Sequence, residues 1–169
     1  GCELKSMGID TWGVSYGFIN KAGNLISNPV HYRDVRTNRV IERASDTVSL
    51  EELYRVTGIQ AIDFNTIYQL YVEKNESDGQ IASADKLLFI PDLLNYFLTG
   101  KKFTEYTIAS TGAVLDANNR NLAEDILAKF GIKKDLFAPF VMPGNSIGKL
   151  LPEIIEDVGD TDVTVVNVA

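Results

Sequence analysis

Val14, Tyr16 and Phe18 alternate with Ser15 and Gly17, the period of a half-buried strand. The stretch from Met7 to Asn20 therefore predicts two strands about a break at Asp10-Thr11-Trp12-Gly13. Lys21-Ala22-Gly23-Asn24 reads as a turn and Leu25-Ile26 as the return of a hairpin. Beyond it the apolar spacing changes to three and four, and five helices are predicted from their punctuation. Ser49 with Glu52 forms a capping box for the first, which carries Leu50, Leu53 and Tyr54 on one face and ends at Gly58. Ile67, Leu70 and Tyr71 stripe the second. Pro91 opens the third, lined by Leu94, Phe97 and Leu98 and closed by Gly100. Leu122, Ile126, Leu127 and Phe130 mark the fourth, closed by Gly131. Pro152 opens the fifth, with Ile154, Ile155 and Val158 before Gly159. Leu87 to Ile90 and Val163 to Val168 are further strands, and Asn75 to Gly79 is a solvated loop. Strands first, helices in the middle and a returning strand predict an α/β or α+β domain.

Composition narrows the classes of function. The chain has 169 residues, 45% hydrophobic and 23% charged, enough for one domain with a hydrophobic core. The net charge is −7, and the largest basic groupings are Lys101-Lys102 and Lys133-Lys134. Neither nucleic acid nor an anionic membrane is an expected partner. The one cysteine, Cys2, and the one histidine, His31, exclude an intrachain disulfide and a His/Cys zinc site. No apolar run is long enough to span a bilayer as a helix and no signal-peptide pattern opens the chain, so a cytoplasmic protein is expected. The first residue is not Met and the last stretch, Val163 to Ala169, is strand-like. Both ends are read as cuts in a longer protein.

Asp10-Thr11-Trp12-Gly13 is the most suggestive constellation. A carboxylate and a hydroxyl can read sugar hydroxyls, an indole can cover the C–H face of a ring, and glycine lets a ligand approach the backbone. A structural account also suffices, with Trp12 in the core, Asp10 capping a turn and Gly13 allowing a bend. In His31-Tyr32-Arg33-Asp34 with Arg36, Arg33 can clamp an anion or pair with Asp34 to fix a loop. Phe64-Asn65-Thr66 opens a helix, where Asn65 or Thr66 caps or faces a ligand. Glu105 to Gly112 is rich in hydroxyls, which suits a cavity wall or a short helix bonding its own carbonyls. There is no Gly-rich phosphate loop; Gly144 to Gly148 has two glycines only.

These stretches carry a resemblance. Gly8-Ile9-Asp10-Thr11-Trp12-Gly13-Val14 resembles the strand motif of rhamnulokinases, within the FGGY carbohydrate kinases. Tyr32-Arg33-Asp34 with Arg36-Thr37, Gly58-Ile59-Gln60, Phe64 to Leu70, Ile90 to Gly100, and Glu105-Tyr106-Thr107 with Ala109-Ser110-Thr111 agree in the same order. The resemblance implies a ribonuclease-H-like domain of the actin/hexokinase kind with a mixed sheet and flanking helices. Residues 1–169 would form the later part of an N-terminal sugar-binding domain. It implies ATP-dependent phosphorylation of the 1-hydroxyl of a ketose, L-rhamnulose in that branch. Thr11, Trp12, Gly13, Phe64 and Asn65 are the implied substrate-binding residues. ATP and Mg²⁺ are implied for the full-length enzyme but not on this segment, whose partners would be the ketose and the remaining parts of the kinase. The phosphate motif is expected before Gly1 and the catalytic aspartate after Ala169, so this segment is expected to be inactive alone. Ser15 stands where the family usually has Asp, Val35 and Asp63 where it has Pro, and Ile108 where it has Asn. These departures leave room for another pentulose or deoxyketose, or for a non-catalytic sugar-binding protein that kept the fold.

Overall fold

The computed structural model describes residues 4–76, 80–159 and 162–169. Cys2 and most of the loop expected at 75–79 lie outside them. In chain order the elements are β1 (Ser6–Met7), β2 (Tyr16–Ile19), α1 (Val40–Ala44), α2 (Leu50–Thr57), α3 (Thr66–Asn75), α4 (Gln80–Ser83), β3 (Lys86–Phe89) and α5 (Ile90–Thr99). There follow β4 (Thr104–Glu105), α6 (Tyr106–Ser110), β5 (Leu115–Asp116), β6 (Asn121–Leu122), α7 (Glu124–Lys129), β7 (Phe140–Val141), β8 (Ser146–Lys149), α8 (Pro152–Val158) and β9 (Thr164–Val166).

The architecture is mixed α/β. β2 runs antiparallel to β3, with Tyr16 opposite Phe89 and Ile19 opposite Lys86. β9 is the centre of a second sheet, parallel to β1 and antiparallel to β8. β4 pairs parallel with β7, and β5 with β6 makes a small hairpin. The principal core joins Tyr16 and Phe18 of β2 and Leu87 and Phe89 of β3 to Leu53, Ile67, Leu70, Ile126 and Leu127 from α2, α3 and α7. Among the described residues no helix is long and apolar enough to cross a membrane.

Punctuation set several helix ends. Ser49 Oγ accepts from Glu52 N at 3.2 Å, and Gly100, at φ 70°, closes α5 in the left-handed conformation that favours glycine. The Glu52 carboxylate instead meets Lys129 Nζ at 2.5 Å, tying α2 to α7.

Five expectations are corrected. The Met7–Asn20 strands are shorter than predicted and belong to different sheets. All of Tyr16–Ile19 is buried, because Leu93, Leu25 and Pro29 press against Gly17 from the side expected to face water. The return of the hairpin is a bridge, Ile19 to Leu25, and not a strand; Pro29 follows too soon to continue the ladder. On α5 two of the three predicted stripe residues face outward: Leu94 and Phe97 are 40% and 42% exposed, Leu98 is half-buried against the core around Phe103 and Val165, and Asp92, Asn95 and Thr99 are buried. Leu122 lies in β6, ahead of α7.

Candidate functional site

The Trp12 segment turns sharply before β2. Val14 has φ 65°, and Ser15 N donates to Gly13 O at 2.9 Å, closing a three-residue turn. A β-branched residue in this region is strained and persists only where its surroundings hold it. The Val14 carbonyl accepts from Thr66 Oγ1 at 2.9 Å and from Gln69 Nε2 at 3.0 Å, both on α3. Gly13 lies against Thr111; a Cβ there would stand 2.7 Å from Thr111 Oγ1. The Thr111 carbonyl accepts from Asn65 Nδ2 at 3.3 Å. Residues 10–15, 65–69 and 111 are thus one connected unit.

The turn presents Trp12 to solvent, 51% exposed. Its ring centroid is 6.4 Å from His31, His31 is 4.5 Å from Tyr32, and Tyr32 meets Phe64 edge-on at 5.2 Å. The Arg33 guanidinium stands 5.2 Å from the Tyr32 ring and 6.0 Å from that of Phe64, with Nε on the Tyr32 hydroxyl at 3.1 Å. The structure therefore joins three stretches far apart in sequence into one aromatic wall bordered by Asp10, Thr11 and Arg33. Thr11 is half-buried, with Oγ1 on the Trp12 carbonyl at 3.1 Å.

Asn65 lies behind that wall. It is buried; its Oδ1 accepts from Ile62 N at 2.7 Å while Nδ2 reaches Thr111. It occupies the N-cap position of α3 without a side-chain capping bond. The Arg33–Asp34 pair weighed from sequence does not form: Asp34 Oδ1 accepts from Arg36 N at 2.9 Å and caps a short 3-10 turn. Asp63, standing where the resemblance expects proline, accepts from Arg39 N and Ile41 N and holds the start of α1. Ser15 is buried, and its Oγ has no hydrogen-bond partner among the described residues.

Sequence reasoning passed over the layer that supports the wall. Gln69 is fully buried; Nε2 also reaches Phe64 O at 2.8 Å, and Oε1 accepts from Arg36 Nη2 at 3.2 Å. Arg36 in turn pairs with Glu73. Burial pushes the neighbouring Tyr16 phenol far above its ordinary range. On the other side, both oxygens of buried Asp92 accept from Glu105 N, at 3.2 and 3.1 Å. The Glu105 carboxylate caps α6, accepting from Thr107 N at 2.7 Å and Ile108 N at 2.6 Å. Burial pushes the Asp92 carboxyl up to about 8, the Glu105 amide partly opposing this. Thr107 Oγ1 donates to the Glu105 carboxylate, while Ser110 and the C-cap Thr111 bond the carbonyls of Thr107 and Ile108. A signal was present: Thr66, Gln69 and Glu73, and again Asp92, Asn95 and Thr99, are polar residues at helical spacing on buried faces.

Comparison with known proteins adds to this geometry. The sequence model of the FGGY family of carbohydrate kinases, N-terminal domain, matches residues 1–169. Rhamnulokinase of Bacteroides thetaiotaomicron is 41% identical over 169 residues, covering 100% of this chain and 35% of its own length. Rhamnulokinase of Enterococcus faecalis is 41% identical over 163 residues, 96% of this chain and 32% of its own. The chain spans about a third of the length of these curated relatives. A gluconate kinase from Lactobacillus acidophilus superimposes with a TM-score of 0.90 at 21% identity, over 98% of this chain and 34% of that one. A ligand-bound xylulose kinase from the same organism gives 0.89, also at 21% identity and over the same shares. These two likenesses speak for the fold alone.

Proposed function

This chain belongs to the FGGY family of carbohydrate kinases as its N-terminal domain, and from that membership we propose that the protein is an ATP-dependent kinase acting on the 1-hydroxyl of a ketose, L-rhamnulose foremost. The observation that carries the reading is the aromatic wall of Trp12, His31, Tyr32 and Phe64, exposed at Trp12 and His31 and half-buried at Tyr32 and Phe64, built from stretches that also resemble rhamnulokinases. Trp12 and Tyr32 offer ring faces for the C–H side of a sugar, while Asp10, Thr11 and Arg33 offer groups for its hydroxyls. Gly13 lets the turn pack closely on Thr111, and Asn65 fixes the loop from behind.

The contribution of this segment is alignment. Holding a hydroxyl in line is worth up to roughly 7–11 kcal/mol of barrier when the geometry is ideal. ATP with Mg²⁺ supplies the phosphoryl group and its charge neutralisation. Among the described residues no group of three or more His, Cys, Asp or Glu converges as metal ligands would. The opposing wall, the carboxylate that takes the hydroxyl proton and the nucleotide site fall to the rest of the protein, and residues 1–169 alone give no turnover.

The test is ADP release by the whole protein across a panel of ketoses. The highest kcat/KM on L-rhamnulose supports the reading. A preference of tenfold or more for another pentulose or deoxyketose supports the second reading, which rests on Ser15 standing where the family usually has Asp. Saturable sugar binding without turnover on any ketose leaves a sugar-binding protein, and the kinase reading is lost. Within the same assay, Trp12→Ala raises the ketose KM by on the order of tenfold through loss of ring contact. Because Trp12 is half exposed, its melting temperature stays near that of the wild type.

A further inference from the structure

The two sides of the wall are joined through one amide, that of Gln69, beside which Thr66 Oγ1 also holds the Val14 carbonyl. The Gln69 side chain makes three hydrogen bonds and uses both of its donors: Nε2 donates to Val14 O at 3.0 Å and to Phe64 O at 2.8 Å, and Oε1 accepts from Arg36 at 3.2 Å. One carbonyl belongs to the strained turn that presents Trp12, the other to the residue that ends the aromatic wall. The guanidinium on one side and two carbonyls on the other leave only one orientation of the amide that makes all three bonds. Glu73 fixes that guanidinium from the following turn of α3. No other polar side chain of similar length satisfies this set: a carboxylate cannot donate to either carbonyl, and a methionine makes none of the bonds.

We propose that Gln69, oriented by the Arg36–Glu73 pair, is the positioning residue of the sugar site: it sets the separation between the Trp12 turn and the Phe64 loop, and with it the affinity for the sugar. The inference rests on the wall being the sugar-binding surface. Gln69 itself lies behind that wall, fully buried, and acts on the ligand only through the two backbone carbonyls it gathers.

Gln69→Glu and the double variant Gln69→Glu/Glu73→Gln separate this from a general bracing of α3. The double variant keeps one carboxylate against Arg36 and restores the charge balance of the cluster, but neither variant restores the two donors. Two readouts in the whole protein decide the matter: steady-state kinetics with the ketose, and amide hydrogen exchange of peptides covering residues 9–18 and 60–66. In Gln69→Glu the ketose KM rises about tenfold or more with kcat within about threefold, and the Ser15 amide of the Val14 turn exchanges at least about tenfold faster. In the double variant the melting temperature recovers while the raised KM and the fast exchange persist. Recovery of KM together with melting temperature overturns the inference, as does unchanged exchange at Ser15 in Gln69→Glu. Absence of ketose turnover in the wild type is a separate result: it defeats the kinase reading, while the exchange measurement still decides whether Gln69 holds the turn.

Discussion

The melting temperature falls as pH rises from about 4 to 8, and Asp92→Asn removes most of that slope. Asp92 is fully buried, and its carboxyl is raised from 3.8 to about 8. Between those values the unfolded chain has released this proton while the folded one retains it. The folded state therefore binds more protons, and stability declines with pH across that window. It is fully present below about 4 and lost once pH passes about 8. The span between the two values corresponds to an upper bound of about 6 kcal/mol. Exposed carboxylates held low by lysine or arginine partners, such as Asp85 beside Lys102, act in the opposite direction and only in more acidic solution. Asparagine keeps an oxygen for Glu105 N and carries no charge to bury. Thermal unfolding of both proteins between pH 5 and 8.5 is the measurement; parallel curves for wild type and variant would refute the assignment.

The second large effect is steric. A Cβ on Gly112 would stand 2.6 Å from Thr66 Oγ1 and 2.7 Å from Thr66 Cβ. The hydroxyl can rotate away but the Cβ cannot, and Gly112 O is pinned to Ile67 N at 3.0 Å. Either the start of α3 or the 111–113 backbone must shift, so Gly112→Ala costs about 1–3 kcal/mol. Thr66 also bonds the Val14 carbonyl, and its displacement loosens the Trp12 turn. Gly13→Ala is the comparison, since its new Cβ meets only the Thr111 side chain. Urea midpoints should rank wild type, Gly13→Ala, Gly112→Ala in falling order; a Gly112→Ala midpoint equal to the wild type would contradict the packing.

The helices were legible where chemistry is local. Ser49, Gly58, Pro91 and Gly100 act through their own backbone or their near neighbours, so the bounds of α2 and α5 follow from sequence. The burial of α5 was not legible. Its outward Leu94 and Phe97 and inward Asp92 reverse the usual rule, and the reason is Glu105, thirteen positions along the chain from Asp92. The pairing of β2 was misjudged for a similar reason, as its partner β3 lies beyond four helices. At the site, side chains that act outward were readable by type, Trp12 and Phe64 among them. Gln69 and Thr66 act on carbonyl groups of distant residues, a role that spacing on α3 hints at but cannot assign.

The pairing of β1 with β9 has a bearing on how the molecule is made. Ser6 sits opposite Thr164 and Met7 opposite Val165, so β1 pairs with a strand more than 150 residues later in the chain. On a ribosome that sheet cannot close until nearly the whole segment has left the exit tunnel, whereas α1 to α3 and the β2–β3 pair can consolidate beforehand. A nascent chain stalled before residue 164 would hold the principal core while β1 still lacked its neighbour, leaving an uncovered strand edge for a chaperone to mask.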